Sequence, residues 1–387
     1  MLCAPVLTLG LMGQNIYAPV LNRVEQGSTT LRVLKEQQNA KQKANHVGLA
    51  PADPEVEFGY LWSHPASGGN RKDVSVTQQF DFPTAYVERA RLSVLQDQSA
   101  ELNYRQQRQQ ILLQAKQACV ELVFQNALHY IYAQQTDWAR KTASSYEYML
   151  KQGEGNKLDY NKALLNQMEM ENQLQQVEVN QQQQLSLLSS LAGGQSVELE
   201  VAEYAEEYSL PQDFESWFVQ AEASSPALLY LGSQVKENQR QIKVARAQGL
   251  PKISVGYMGE LVPSQKYNGV TVGMSIPLWE NRGRVRQART EANAAQIALE
   301  DARVQYYTQL RSLYKQAQQL QQSIHSMKHS IQKYADYSLL QRAYESGELT
   351  LAAFLTEKSY LLSVQIRLLE TQRDLELVLA SLEAYSL

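Results

Sequence analysis

The sequence predicts a mainly α-helical protein with a small β part, and three observations support this fold class. Short segments that alternate apolar and polar residues occur in two pairs. Stretches without Pro or Gly, rich in Gln, Leu and Ala, lie between them, and the whole order of segments occurs twice in 387 residues. Alternation with a period of two predicts strands with one apolar face. Uninterrupted helical patterns of this length predict coiled coils.

Composition and charge narrow the classes of function. The formal net charge of -4 gives no support for a nucleic-acid partner. Cys3 and Cys119 are the only cysteines, so the sequence predicts no disulfide framework, and the apolar neighbours of Cys119 predict a core thiol. The sequence contains no run of about 18 apolar residues, so it predicts no membrane-spanning helix. Transmembrane strands stay open, because about 9–11 residues of alternating polarity suffice for one.

The N-terminal residues 1–13 are apolar and are followed by Gln14 and Asn15. This pattern resembles the end of a secretory signal peptide without its basic start. We expect residues 1–13 to be a remnant of such a peptide, and a short apolar helix start is the alternative.

The first repeat is predicted over residues 14–192. A helical pattern ends before Pro51, and a β-hairpin follows over 54–82. The first strand of this hairpin places four large apolar side chains on one face: Val56, Phe58, Tyr60 and Trp62. The next segments are a helix over 84–151, a Gly-containing break over 152–157 and a helix over 158–191. At about 1.5 Å per residue the first of these helices is about 100 Å long.

The second repeat is predicted over residues 225–387, after an acidic, irregular linker over 193–224. Its segments are a helix capped by Ser225, a β-hairpin over 251–277 with turn residues at 263–269, a long helix over 284–345, a break over 346–350 and a last helix over 351–386. The apolar faces of this hairpin carry Ile253, Val255, Tyr257, Val270, Val272, Met274 and Ile276. The last helix has a heptad seam formed by Phe354, Leu361, Val364, Leu368, Thr371, Leu375, Val378, Leu382 and Tyr385.

The two halves keep a nearly constant offset, which indicates an internal duplication. The landmarks are the Pro before each hairpin, the start of each second strand and the Gly of each helix break, at Pro54 and Pro251, Val74 and Val270, and Gly153 and Gly347. Each chain therefore contributes four strands. Four strands cannot close a barrel, so strands that face lipid would need at least one further chain. The alternative is a soluble, half-buried sheet.

Several short motifs occur in a fixed order along the chain. They are residues 225–228 (SPAL), 245–247 (ARA), 250–254 (LPKIS), 270–278 (VTVGMSIPL) with Gly283 after them, and 344–350 (YESGELT). Together these motifs resemble those of the TolC-like outer-membrane efflux channels. The resemblance covers residues 15–385 and therefore both repeats. Each motif is short, but their order and spacing are specific.

This resemblance implies a fold, a cellular localisation and binding partners. Three chains would form a homotrimer, in which twelve strands close a transmembrane β-barrel with its apolar side toward outer-membrane lipid. The helices would form a periplasmic α-barrel, with residues 193–224 in a belt around it. The helix breaks would meet a periplasmic adaptor (membrane fusion) protein, which joins an inner-membrane pump. The tube would be a passive conduit in a Gram-negative outer membrane, without a cofactor.

The resemblance also implies a gate near the breaks at Gly153 and Gly347. Tyr344 matches a gate tyrosine of the family, and Asp159 matches its acidic partner. The basic residue of the family gate falls on Leu349, so the interaction that this residue makes in the family is missing here. The acidic ring of the family's pore falls on positions without a carboxylate, and Glu357 is a substitute for it. Ordinary solvated or helix-starting residues are the alternative interpretation of Tyr344 and Asp159.

No other constellation points to chemistry. His325 and His329 are four residues apart on a helix, but a solvated helix face explains them better than a metal site. The sequence contains no phosphate loop, nucleophile elbow or clustered acid–base set, so no enzyme and no metal site is predicted. The alternatives to an efflux channel are a soluble coiled-coil scaffold and the channel of a type I protein-secretion system.

Overall fold

The computed structural model describes residues 16–64, 69–204, 210–277, 279 and 283–387, so the expected signal-peptide remnant at 1–13 lies outside the described residues. The predicted fold class, mainly helical with a small β part, is confirmed. The helices are α1 Ala18–Gly27, α2 Thr29–Asn45, α3 Pro83–Lys151, α4 Lys157–Leu191, α5 Phe214–Ser224, α6 Pro226–Ala247, α7 Arg284–Tyr334, α8 Tyr337–Glu345 and α9 Leu351–Leu382, with a 3-10 turn at Glu383–Ser386. The strands are β1 Glu55–Leu61, β2 Arg71–Phe80, β3 Lys252–Val262 and β4 Gln265–Ser275.

The four strands form one antiparallel sheet in the order β1-β2-β3-β4. The central pairing of β2 with β3 joins the hairpin of the first repeat to that of the second. One row of the register runs through all four strands at Val56, Val76, Tyr257 and Val270. Because side chains alternate along a strand, this row fixes the face on which every other apolar residue of the sheet lies.

The chain divides into two compact units. The first contains the described residues up to Val33, together with Arg108–Ala221 and Tyr306–Leu387. The second contains Leu34–Gln107 and Glu222–Gln305, and therefore the whole sheet. None of the described helices is long and apolar enough to cross a membrane.

The first unit has two main apolar cores. One packs α1, α3 and α4 around Val24, Leu122 and Leu188, each at most 1% exposed. The predicted core thiol of Cys119 lies in it at 0% exposure, and burial raises the pKa of this thiol to about 12. The other core packs α5, α7 and α9, and the predicted seam of the last helix contributes Leu375, Val378 and Leu382 to it.

The two helix breaks have the same backbone structure. Gly153 and Gly347 have φ of 79° and 78°, and each ends its helix in a Schellman motif. In both motifs the amide after the Gly donates to the carbonyl five residues earlier, at 3.0 Å. Three residues after each Gly, a side chain caps the next helix, Asn156 for α4 and Thr350 for α9. The equal spacing of Gly and cap supports the duplication predicted from the sequence.

Replacing Gly347 with Ala should destabilise the second break. A Cβ there meets no atom within 4 Å, so the cost comes from the positive φ alone, about 1–2 kcal/mol. Gly232→Ala, in the middle of α6 with equal space, is the matched control and should stabilise the protein by about 0.5–1 kcal/mol. Thermal unfolding followed by helical circular dichroism measures both. Equal melting temperatures for Gly347→Ala and wild type would contradict the role of this φ.

The predicted turn of the second hairpin was too long. Residues 263–269 were expected to form the loop, but the turn contains only Pro263 and Ser264, and β4 begins at Gln265. The polar residues between the turn and Val270 pair with β3, for example Asn268 with Gly259. Polar strand ends are compatible with antiparallel pairing, because the main chain supplies the hydrogen bonds. The strands of this hairpin are therefore 11 residues each.

Three helical predictions also need correction. The helix predicted over 284–345 is interrupted after Tyr334, and Asp336 caps the new helix α8 by accepting from the Leu339 amide at 3.0 Å. The linker predicted as irregular over 193–224 ends in helix α5. The last helix becomes a 3-10 turn after Leu382 instead of continuing to residue 386. The Asp336 cap explains the new start of α8, and the aromatic core around Phe214 explains α5.

Candidate functional site

The first candidate site is the apolar face of the sheet. Its side chains are exposed in the single chain, with Val272 at 79%, Val56 at 68% and Ile253 at 38%. The other predicted face residues that are exposed are Phe58, Trp62, Val255, Tyr257, Val270, Met274 and Ile276, while Tyr60 is half-exposed. A continuous exposed apolar surface of this kind requires an apolar partner.

The opposite face of the sheet is polar. Arg71 lies 2.8 Å from Asp73 and 3.2 Å from Glu260 on this face, so one arginine pairs with carboxylates of β2 and β3 there. At the turn end of the apolar face, Tyr60 packs edge-on against Trp62 with centroids 5.3 Å apart, and Lys72 lies over the Tyr60 ring at 5.8 Å. Aromatic rings beside a basic group are typical of the boundary of a lipid-facing surface.

The second candidate site lies beside the helix breaks in the first unit. A small apolar core there contains Ala143 of α3, Ala163 of α4 and Leu351 of α9. Tyr344 packs on this core, and its hydroxyl lies 3.0 Å from the hydroxyl of Tyr146. Burial, the hydrogen bond to Tyr146 and, to a smaller extent, the Asp159 charge raise the pKa of Tyr344. This phenol is therefore neutral at physiological pH.

Asp159 does not pair with Tyr344 within the chain. Its amide donates to Asn156 Oδ1 at 2.8 Å, and the Asn156 amide group donates back to Asp159 Oδ2 at 2.5 Å. This reciprocal arrangement caps α4.

The other two predicted gate residues lie at the second break and on α9. Leu349 is half-buried, and its amide donates to the Ala343 carbonyl at 3.2 Å as part of the break. Glu357 lies exposed on α9, one turn beyond Phe354. His325 and His329 are both exposed on α7, and the described residues contain no cluster of three or more His, Cys, Asp or Glu suited to a metal ion.

One residue of this region was missed by the sequence reasoning. Lys358 is only 7% exposed, and its Nζ lies 3.2 Å from the centroid of the Trp138 ring. Trp138 belongs to α3, 220 residues earlier in the chain, so no local pattern connects the two. The one available signal was a lysine four residues after Phe354, within the apolar part of the last helix.

Comparison with known proteins agrees with this architecture. Residues 217–386 match the model of the family described as "Outer membrane efflux protein". No curated protein matches the chain. Among solved structures, the CmeC outer membrane channel of Campylobacter jejuni is similar at TM-score 0.77 and 14% identity, over 96% of this chain and 85% of that chain.

Two further structures have the same fold. The outer membrane protein VceC of Vibrio cholerae matches at TM-score 0.75 and 15% identity, over 95% of each chain. The open state of the MtrE outer membrane channel of Neisseria gonorrhoeae matches at TM-score 0.67 and 14% identity, over 95% of this chain and 88% of that chain. At such low identity these structures show the fold.

The chain therefore has the fold of outer-membrane channels of known structure, and the resemblance to TolC-like channels is confirmed. Its second repeat matches the outer membrane efflux protein family over residues 217–386.

Proposed function

We propose that three copies of this chain form a passive conduit through the outer membrane. The observation that carries the proposal is the open four-stranded sheet, with one face apolar and exposed and with edges β1 and β4 unpaired among the described residues. In lipid every backbone N–H and C=O group needs a partner, so these edges must pair with other copies. Four strands from each of three copies make a closed barrel of a size that occurs in outer membranes.

The number of copies is tested directly. Native mass spectrometry of the detergent-extracted protein should give three times the chain mass of 43.8 kDa. The protein should also be recovered from the outer-membrane fraction. A monomer in the soluble fraction would contradict the proposal and favour the coiled-coil scaffold.

We further propose that the helix breaks are the periplasmic end of the conduit and contain its gate. The two breaks are exposed, so they are available to a periplasmic adaptor protein that links the conduit to an inner-membrane pump. Tyr344 is the gate residue in this proposal, and Tyr146 is its partner within the chain. Asp159 of a neighbouring copy is the further partner that the family resemblance implies. Efflux and type I secretion would use the same conduit with different pumps.

Tyr344→Phe should loosen the closed tip without removing its packing. The substitution deletes the hydrogen bond to Tyr146, worth about 0.5–1.5 kcal/mol, and keeps the stacked contact with Phe354. In planar bilayers the variant should therefore open more often than wild type. The Tyr146→Phe variant should behave alike, and the double variant should add little.

Tyr148→Phe is the matched control, because Tyr148 is 64% exposed on the same helix as Tyr146. Its open probability should equal that of wild type. If Tyr344→Phe also has the wild-type open probability, the pair does not hold the tip closed.

A further inference from the structure

Lys358 lies in a cage of three aromatic rings, which we call the lysine cage and which consists of Trp138, Tyr337 and Phe354. The Nζ atom is 3.2 Å from the Trp138 ring centroid and 6.0 Å from each of the other two centroids. Trp138 comes from α3, Tyr337 from the first turn of α8 and Phe354 from α9. The Nζ atom of Lys358 therefore lies on the Trp138 ring and within cation–π range of rings from α8 and α9, beside the break at Gly347.

No opposite charge compensates this lysine. Within the described part of the chain, Lys358 has neither an ion pair nor a hydrogen bond, and burial is the one cause that lowers its pKa, to about 7. From α8 it faces Tyr337, a phenol whose pKa burial raises. The charged residues beside Trp138 on α3 are paired, Asp137 with Lys141 at 2.6 Å and Arg140 with Glu171 of α4 at 2.7 Å. On α9 the neighbouring Glu357 is exposed.

The cage is connected to the gate tyrosine by ring contacts. The Trp138 and Phe354 centroids are 5.4 Å apart, and Phe354 stacks on Tyr344 with centroids 4.5 Å apart. Phe354 is 0% exposed, so it has no free space in which to absorb a shift of its neighbours. A displacement of Lys358 therefore reaches Tyr344 through a single intervening side chain.

We propose that Lys358 is a protonation-sensitive latch of the tip, neutral and caged when the tip is closed, charged and in water when the tip is open. This inference rests on the proposed function of the tip as a gate. In the family gate a basic residue stands at the position of Leu349. In this chain Lys358 on α9 supplies the basic group instead. Here the base acts on Phe354 and Tyr344 through aromatic packing, and not through a carboxylate.

The direction of the pH effect follows from the two states. In the cage the pKa is about 7, and in water it returns to the ordinary lysine value of about 10.4. The released state therefore binds the proton more tightly. As the pH falls from about 10 to about 7, the ratio of released to caged Lys358 should rise by up to tenfold per pH unit, and it should level off below about 7. Attraction between the ammonium and the indole ring raises the pKa of the caged lysine and so narrows the pH range over which this ratio changes.

The fluorescence of Trp138 tests the latch independently of transport. The probe is the assembled full-length protein with Trp62, Trp217 and Trp279 replaced by Phe, so that Trp138 is the only emitter. With Lys358 present, the emission maximum should shift between about pH 9.5 and pH 7 and stay constant below that range. Lys358→Met removes the proton site and keeps the length of the side chain, so its emission should be independent of pH.

Conductance in planar bilayers tests the consequence for the gate. Wild type should open more often at pH 7 than at pH 9, Lys358→Met should stay closed at both, and Lys358→Ala, which empties the cage, should stay open at both. Lys333→Met is the matched control, because Lys333 lies 5.0 Å over the Tyr334 ring at an exposed position and its loss should change nothing.

The outcomes separate the latch from the conduit. The latch is overturned if the Trp138 emission still depends on pH in Lys358→Met. It is also overturned if the emission does not change with pH when Lys358 is present. Both conclusions hold even if the protein conducts. If Lys358 titrates as expected but the protein does not conduct, the proposed function of the tip is wrong. Lys358 is then a titrating group of the fold without a role in gating.

Discussion

Val272→Arg should prevent the protein from accumulating as an assembled oligomer in the outer membrane. Val272 is 79% exposed on the apolar face of β4, between Val270 and Met274. A basic residue in the middle of a lipid-facing surface costs about 2–4 kcal/mol, and a trimer carries the substitution three times. Membrane fractionation and native mass spectrometry should therefore show loss of the trimer.

Thr271→Arg is the matched control, because the neighbouring residue of the same strand is also exposed but lies on the polar face. The side chain there meets no lipid in the proposed barrel, and the trimer should form. If Val272→Arg assembles as well as Thr271→Arg, the apolar face does not meet lipid, and the sheet must be covered by protein.

Phe354→Ala should both destabilise the first unit and open the tip. The ring is fully buried between Trp138 and Tyr344, and removing a buried Phe side chain costs about 3–5 kcal/mol. Because this ring is the member of the lysine cage that stacks on Tyr344, its loss should uncouple Lys358 from Tyr344. We expect a lower melting temperature and a high open probability that no longer depends on pH.

Tyr360→Ala, on the same helix at 65% exposure, removes an aromatic ring of similar size from the surface. Its melting temperature should stay close to that of wild type. A Phe354→Ala variant that is destabilised but keeps the wild-type pH profile of opening would show that Phe354 supports the fold without transmitting the state of Lys358.

The repeat and most of its elements were predictable, because they depend on patterns that are local in sequence. Period-two alternation located both hairpins, and the absence of Pro and Gly located α3 and most of α7. Gly153 and Gly347 marked the breaks, since a left-handed residue at a helix end favours Gly. Such signals require no knowledge of which elements meet in space.

The corrections arise where a local signal was weak or was outweighed by packing. Asp336 caps α8 inside a stretch without Pro or Gly, and a capping side chain alone was too common a signal to reveal the break. Helix α5 forms inside an acidic segment, and Phe214 of that helix packs at 5.3 Å against Tyr314, which lies 100 residues later. Its partners could not be known in advance.

In the candidate gate, too, the local features were predictable from the sequence and the long-range contacts were not. Tyr344 and the Gly347 break were found from a motif, whereas the partner of Tyr344 within the chain, Tyr146, lies 198 residues away. The cage around Lys358 likewise assembles from three helices. A buried lysine looks like a surface lysine in sequence, so only the structure reveals that it lacks an opposite charge.

The pairing of β2 with β3 changes how many seams an assembled ring must close. A chain with a single hairpin would need six copies and six intermolecular seams for twelve strands, whereas two hairpins joined in one chain leave three. Half of the seams then form at the high effective concentration set by the covalent chain. In the proposed trimer the remaining seam would join β1 of one copy to β4 of the next. These strands differ in sequence, so the interface would be head-to-tail and would lead to a closed ring instead of a symmetric dimer.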